Sequence, residues 1–233
     1  MKKIIGVLCA VALAASTLPA AAQDKDQQRL AERLESATLV IHEVMHTPDR
    51  GIPQSILAGA KCVVVVPKYK KGAFVIGAQY GQGVATCRTG RGWSAPVFVR
   101  LEGGSFGWQI GGQSTDLILV AMNDHGLEHM LASKFKLGGD AAATAGPVGR
   151  NAQAATDASM HAEFLTYSRS QGLFAGIDLD GTVLSQNADD TRTEYGANVS
   201  YNSVLHGDVP PPADATRFVH TVATYFVVAR DNH

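Results

Sequence analysis

Between Asp49 and Glu102 the sequence contains no acidic residue, although it holds eight basic ones: Arg50, Lys61, Lys68, Lys70, Lys71, Arg88, Arg91 and Arg100. The formal net charge of the whole chain is only -1. The near-neutral total therefore hides a molecule with one basic region and an acidic remainder. A region of one sign attracts a partner of the other sign. Anionic lipid headgroups, nucleic acid and the acidic half of the same chain are the three candidates, and anionic lipid is preferred over nucleic acid. Long apolar runs are also scarce. One occurs at the start, Ile4 to Leu18, and no second span long enough to cross a bilayer as a helix follows. There are three cysteines. No histidine lies between His46 and His125, and no lysine follows Lys136.

The opening residues read as an export signal. Lys2 and Lys3 precede the apolar stretch, and Ala20-Ala21-Ala22 supplies small residues before Gln23. Residues 1–22 are expected to be a cleaved signal peptide and 23–233 a single domain in the periplasm or cell envelope. Cys9 lies within the apolar stretch, which leaves Cys62 and Cys87. Each sits in an expected strand. A disulfide in an oxidising compartment and two buried thiols both fit.

Residues 24–47 have apolar side chains at three-and-four spacing (Leu30, Leu34, Ala37, Ile41, Val44), which predicts an amphipathic helix. Asp24 and Asp26 suit its start, and Thr47-Pro48 its end. A second short helix is expected over 52–60. Cys62 to Pro67, Ala73 to Tyr80 and Val84 to Arg88 read as strands. Lys68 to Gly72 then forms a basic loop, and Gly81-Gln82-Gly83 and Arg88 to Gly92 form turns. Trp93 to Met122 reads as two or three strands broken at Gly103-Gly104 and Gly111-Gly112, the last of them buried on both faces. Further expectations are a helix over 123–133, a strand over 158–168 with His161 and Glu163 on one face, and a hairpin about Asp180-Gly181. A helix begins at Asn187, another lies near 199–205, and a last one is capped by Asp214. The expected fold class is α+β: a curved, mostly antiparallel sheet of six to eight strands packed with N- and C-terminal helices.

Two enzyme motifs occur out of context. His42-Glu43-Val44-Met45-His46 matches H-E-x-x-H, in which two imidazoles share a helix face and bind zinc while the glutamate acts as base. No third ligand is evident nearby in sequence. Asp178-Leu179-Asp180-Gly181-Thr182 matches the opening motif of haloacid-dehalogenase phosphatases, but it lies late in the chain and no lysine follows it. The preferred reading is non-enzymatic, with no catalytic residue, cofactor or metal. Zinc hydrolysis through His42, Glu43 and His46 is the runner-up.

The ordered segments AKCVVVVPKYKKGAFVIGAQYGQGVATCRTG, GWSAPVFVRLEGGSFGWQIGGQSTDLILVAMN, FKLGGDAAATAGPVGR and YSRSQGLFAGIDLDGTVL resemble the SYLF-domain family over about residues 52–184. That family also goes by the name of an actin-binding domain. The resemblance implies a lipid-binding module, with phosphoinositides as ligands in eukaryotic members. The sequence shows neither the SH3 nor the FYVE domain that accompanies the module in many eukaryotic relatives, and an exported bacterial protein meets no actin. From charge and turn placement, Lys68, Lys70, Lys71, Arg88 and Arg91 are the expected headgroup contacts, with Tyr69 and Trp93 as interfacial anchors. An envelope module that binds other proteins is a third reading.

Overall fold

The structure is a computed structural model. It describes residues 18–46, 51–149, 162–170, 173–177 and 179–227, and side chains within these except for 18–23, 73–77 and 105–113. The elements in order are α1 (Leu18–Met45), α2 (Gln54–Gly59), β1 (Cys62–Thr89), β2 (Gly92–Trp93), β3 (Val97–Ala121), α3 (Asp124–Leu131), β4 (Lys134–Lys136) and β5 (Ala143–Ala145). They continue with β6 (Phe164–Ser170), β7 (Leu173–Gly176), β8 (Val183–Gln186), α4 (Ala188–Tyr195), α5 (Tyr201–His206) and α6 (Thr216–Tyr225). The eight strands form one sheet, antiparallel except where β5 runs parallel to β6. The expected α+β class and strand number hold.

The sheet is built on one long ribbon. β1 and β3 pair antiparallel from Cys62 opposite Ala121 to Ala85 opposite Val97. A straight strand of β1's length would run about 90 Å. Instead its two ends meet: the Cα atoms of Cys62 and Cys87 are 4.0 Å apart and joined by a disulfide, and Arg88 N donates to Lys61 O at 2.7 Å. The ribbon therefore doubles back on itself. The bond closes a loop of 25 residues, worth about 3 kcal/mol in lost unfolded-state entropy.

This doubling corrects several expectations. Gly81-Gln82-Gly83 is not a turn but continuous strand, and the glycines are needed because another backbone lies against them. A Cβ at Gly83 would sit 2.3 Å from Val65 O, and one at Gly81 2.6 Å from Tyr69 and Val66 side chains. Gly103-Gly104 and Gly111-Gly112 likewise interrupt nothing, since β3 runs through both. Lys68 to Gly72 is strand rather than loop, with register shifts between Val66 and Tyr69 and between Ala73 and Val75. Lys68 sits at the first bulge with φ 53°, and its N–H donates to Asp116 Oδ1 at 2.9 Å. The Asp180-Gly181 turn exists, but it makes no hairpin: β7 pairs with β6, while β8 pairs with β3 and β4. The turn is held by the neighbouring segment instead, Gly181 N donating to Leu137 O and Leu137 N to Thr182 O.

Alternation sorts the ribbon's side chains onto two buried faces. Val63, Val65, Val84, Phe98, Ile118 and Val120 pack beneath α1, α2 and α6. Cys62, Val64, Val66, Val97, Val99, Leu117 and Leu119 pack against α3, β4 and α5. The apolar stripe of α1 is the one the spacing predicts, with Val40 added. The helices from both ends of the chain do cover one sheet face, and the middle helices cover the other. α1 begins at Leu18, not Asp24, so neither aspartate lies in its first turn. Asn123 and Asn187 cap α3 and α4, accepting from Gly126 N and Asp190 N. A 3-10 turn, Ala213–Ala215, precedes α6, and Asp214 does not cap that helix. The expected strand over 158–168 is present from Phe164. His161, Asp178 and residues 1–17 lie outside the described residues.

Where α4 meets the 3-10 turn, the Glu194 carboxyl is pushed up to about 7, first by burial, then by the charge of Asp214 and a hydrogen bond with it. The folded state keeps this proton until about pH 7, whereas the unfolded chain releases it near 4.5. The native state thus binds more protons in that window, and stability falls as pH rises from about 4.5 to about 7. Glu194→Gln is expected to flatten this slope and to exceed the wild type at pH 8 by about 1 kcal/mol, allowing for solvent screening of a half-buried group. Urea unfolding at pH 4, 6 and 8 measures it, and identical slopes in both proteins would refute it.

Candidate functional site

A groove of about 310 Å³ lies between α1 and the first bulge of β1. α1 contributes Arg29, Glu32, Arg33 and Ser36, and β1 contributes Pro67, Lys68, Lys70 and the stretch Tyr80 to Gln82. Arg29 and Arg33 are four residues apart and so rise from one side of the helix. The bulge supplies the other wall: the extra residue there and the left-handed conformation of Lys68 leave Lys68 and Lys70 exposed, while Tyr69 between them is buried.

The floor is a polar network. Asp190, at the start of α4, accepts from Arg33 Nη1 at 2.5 Å and from Arg29 Nη2 at 3.1 Å. Arg33 Nη2 donates to Gln82 Oε1 at 2.8 Å. Asn187 Nδ2 also donates to Asp190, and Arg100 Nη2 donates to Asn187 Oδ1 at 2.9 Å. Arg33 and Asp190 side chains are only 8 % and 5 % exposed, whereas Arg29 is 48 % exposed. One arginine is thus a fixed wall of the groove, and the other can turn outward to a ligand. Among the described residues the side-chain ammonium groups of Lys68 and Lys70 are in no ion pair, although Glu32 lines the same groove.

The basic residues singled out from sequence do not form one cluster. Lys68 and Lys70 stand in the groove. Lys71 follows on β1, half-buried and engaged in an interaction of its own. Arg88 lies beside Lys61, seven residues and about 20 Å along the strand from Lys68. There its guanidinium donates to Ala60 O at 3.0 Å and Phe226 O at 2.9 Å, where α2 and α6 end, and stacks over Trp93 at 4.6 Å. Carbonyls at helix C-termini are natural partners for a cation. Trp93 in turn packs edge-on to Phe226 at 5.7 Å. Arg91 is exposed and donates to Gly207 O at 2.8 Å. Tyr69 is 0 % exposed, with its hydroxyl donating to Gln79 Oε1 at 2.9 Å. A buried side chain does not reach a membrane surface, so Tyr69 is not an anchor; Arg88 and Trp93 are partly exposed and pack against each other and Phe226. Arg29, Arg33, Tyr80 and Gln82 were not singled out from sequence. The four-residue spacing of the arginines was visible, but the strand they face was not.

The H-E-x-x-H residues are engaged elsewhere. Glu43 is ion-paired with Arg169 on β6, which also meets Asp116 at 3.2 Å. His42 Nδ1 lies 3.1 Å from Tyr225 Oη, and His46 Nδ1 lies 2.7 Å from His42 O. Among the described residues no group of three or more His, Cys, Asp or Glu side chains is arranged to hold a metal. Among them, too, no helix is long and apolar enough to cross a membrane.

A family model described as "Ysc84: Las17-binding protein actin regulator" matches residues 102–225, just over half the chain. The chain is 35% identical over 170 residues to SH3 domain-containing YSC84-like protein 1 of Rattus norvegicus, covering 72% of this chain and 50% of that protein. It is 36% identical over 168 residues to SH3 domain-containing protein PJ696.02 of Schizosaccharomyces pombe, covering 70% and 39%. With LAS seventeen-binding protein 3 of Saccharomyces cerevisiae it shares 34% over 172 residues, covering 71% and 37%. The chain spans half or less of the length of these relatives. The family model covers more than half of the chain, and these relatives are above 30% identical over more than two thirds of it; on that ground the chain belongs to the Ysc84, or SYLF, family, whose description is that of an actin regulator.

Proposed function

We propose that this chain is a non-enzymatic lipid-binding protein that takes anionic headgroups in the groove between α1 and the β1 bulge, and that it works in the bacterial envelope after export. The observation that carries this reading is the pair of exposed lysines, Lys68 and Lys70, facing Arg29 across the groove. Asp190 is engaged by Arg29 and Arg33, and Asp116 by Arg169, which leaves Glu32 as the one groove carboxylate outside these pairs. The two lysines outnumber it and are the groups that would meet a phosphate. Each such cation near an anionic surface is worth about 1 kcal/mol. Export is supported by the Lys2-Lys3 start, the apolar run after it and Ala20 to Ala22, and the Cys62–Cys87 disulfide suits an oxidising compartment.

The test is co-sedimentation with phosphatidylcholine vesicles, with and without phosphatidylglycerol. Binding is expected only with the anionic lipid and should weaken at high salt. Lys68→Glu/Lys70→Glu is expected to lower affinity at least ten-fold. Undiminished binding by this variant would remove the groove as the site, and no binding to anionic vesicles would remove the lipid function. A second reading, a protein-binding module, is favoured by the family's description as an actin regulator and by the yeast relative's name. Retention of a purified protein partner by a chain that ignores vesicles would favour it.

A further inference from the structure

Among the described residues four large hydrophobic side chains are exposed: Leu39, Tyr80, Leu173 and Val227. Single exposed apolar residues are ordinary and by themselves indicate nothing. Three of these four, however, lie on elements that meet at one end of the sheet, Leu39 and Tyr80 on the α1 side and Leu173, next to the inward-facing Phe174, on the other. Tyr80 is part of the groove wall. Leu39 stands one turn beyond Ser36, the groove residue at that end of the α1 wall. One turn further, Glu43 pairs with Arg169 of β6. Arg169 also reaches Asp116, and Asp116 accepts from the backbone of Lys68. Leu173, 65 % exposed, begins β7 and pairs with Ser170, the residue after Arg169. A continuous set of contacts thus links α1, the β1 bulge, β3 and the start of β7 around Lys68 and Lys70. Val227 is apart from them, next to Phe226 and the Arg88–Trp93 stack.

We infer that this end of the molecule is a membrane-docking face, on which Leu39, Tyr80 and Leu173 enter the headgroup–acyl boundary of an anionic bilayer while Lys68 and Lys70 lie at its phosphates. The inference rests on the lipid-binding reading above and adds the orientation of the protein and the kind of partner: a bilayer surface rather than a free phosphate compound. The chemistry argues for a bilayer. A soluble phosphate ligand uses the cations but gives exposed leucines no partner. A protein surface rich in acids would likewise use the lysines and leave the exposed leucines without an apolar partner. Apolar points around two exposed lysines match an interface that is anionic at its surface and apolar just below it. Tyr80 takes the role expected from sequence for Tyr69, since an aromatic ring with a polar tip suits that boundary.

The test places a reporter at each position in the full chain. Leu39→Trp and Leu173→Trp carry it on the face, and Val227→Trp carries it off the face. All three sites are exposed, so the fold should tolerate the ring. Fluorescence is read as a difference from the wild type, with phosphatidylglycerol vesicles whose acyl chains are brominated. The expected result is a blue shift and quenching at 39 and 173 and neither at 227. Leu39→Ser/Leu173→Ser is expected to bind about ten-fold more weakly at low and high salt alike, whereas the lysine variant differs from the wild type mainly at low salt. Vesicle-bound protein with unquenched reporters at 39 and 173, or equal quenching at all three positions, would overturn the docking face while leaving headgroup binding in place. Wild-type protein that fails to sediment with anionic vesicles but binds inorganic phosphate would overturn the face and point to a free phosphate ligand. Failure to bind either would end both readings.

Discussion

Asp190→Ala is expected to destabilise the protein by about 3 to 5 kcal/mol. The carboxylate is nearly buried and accepts from Arg33, Arg29 and Asn187. Removing it leaves the Arg33 guanidinium, 8 % exposed, with Gln82 as a neutral partner and no countercharge. The cost is that of an uncompensated buried charge, not the net worth of the ion pair, which is far smaller because forming the pair already required both groups to leave water. The two can be separated. Arg33→Met/Asp190→Leu removes both charges and should recover most of the loss, since an apolar pair of similar volume is often neutral. Urea denaturation of the two single variants and the double one gives the coupling. A loss under about 1 kcal/mol for Asp190→Ala would mean that water already reaches Arg33, and the groove would then be a looser, wetter site than its floor suggests.

Gly83→Ala carries the other large effect. One methyl group at this position meets Val65 O at 2.3 Å and Val66 Cγ2 at 2.7 Å. The valine side chain can turn away, but the oxygen belongs to a strand paired with Ile118 and cannot move alone. The halves of β1 must part, against a disulfide that holds them together. A cost of about 3 kcal/mol or more follows, at the upper end for overpacking. Gly104→Ala is the internal comparison: it lies on the same ribbon with nothing within 4 Å of its Cβ position, and a change within about 0.5 kcal/mol is expected. Thermal unfolding of the two variants side by side decides the matter. Equal midpoints would mean that the two halves of β1 do not lie against each other.

The glycines show where sequence reading stops. A glycine in a strand pattern signals either a turn or a close approach, and the two are the same in one dimension. At Gly81-Gln82-Gly83 the structure shows close approach. The ambiguity at Asp180-Gly181 is of another kind. Local chemistry makes the turn, and Gly181 has the expected positive φ of 81°. What the strands on either side pair with is settled elsewhere: β7 pairs with β6, which ends only three positions before it, and β8 pairs at long range with β3 and β4.

By itself the sequence determined the periodic features. The apolar stripe of α1, the caps at Asn123 and Asn187, the two-sided burial of Cys62 to Val66 and Leu117 to Ala121, and the α+β class all follow from local spacing, because each depends on residues within a few positions of one another. Only the tertiary structure decided which cations share a site. The doubling of the ribbon joins Cys62 to Cys87 and sends Arg88 and Trp93 to the seam where α2 and α6 end. The bulge turns Tyr69 inward and leaves Lys68 and Lys70 outside, opposite two arginines about forty residues earlier in the chain. Charge counted along a sequence records which residues are available; their grouping depends on long-range backbone pairing, which no local pattern encodes.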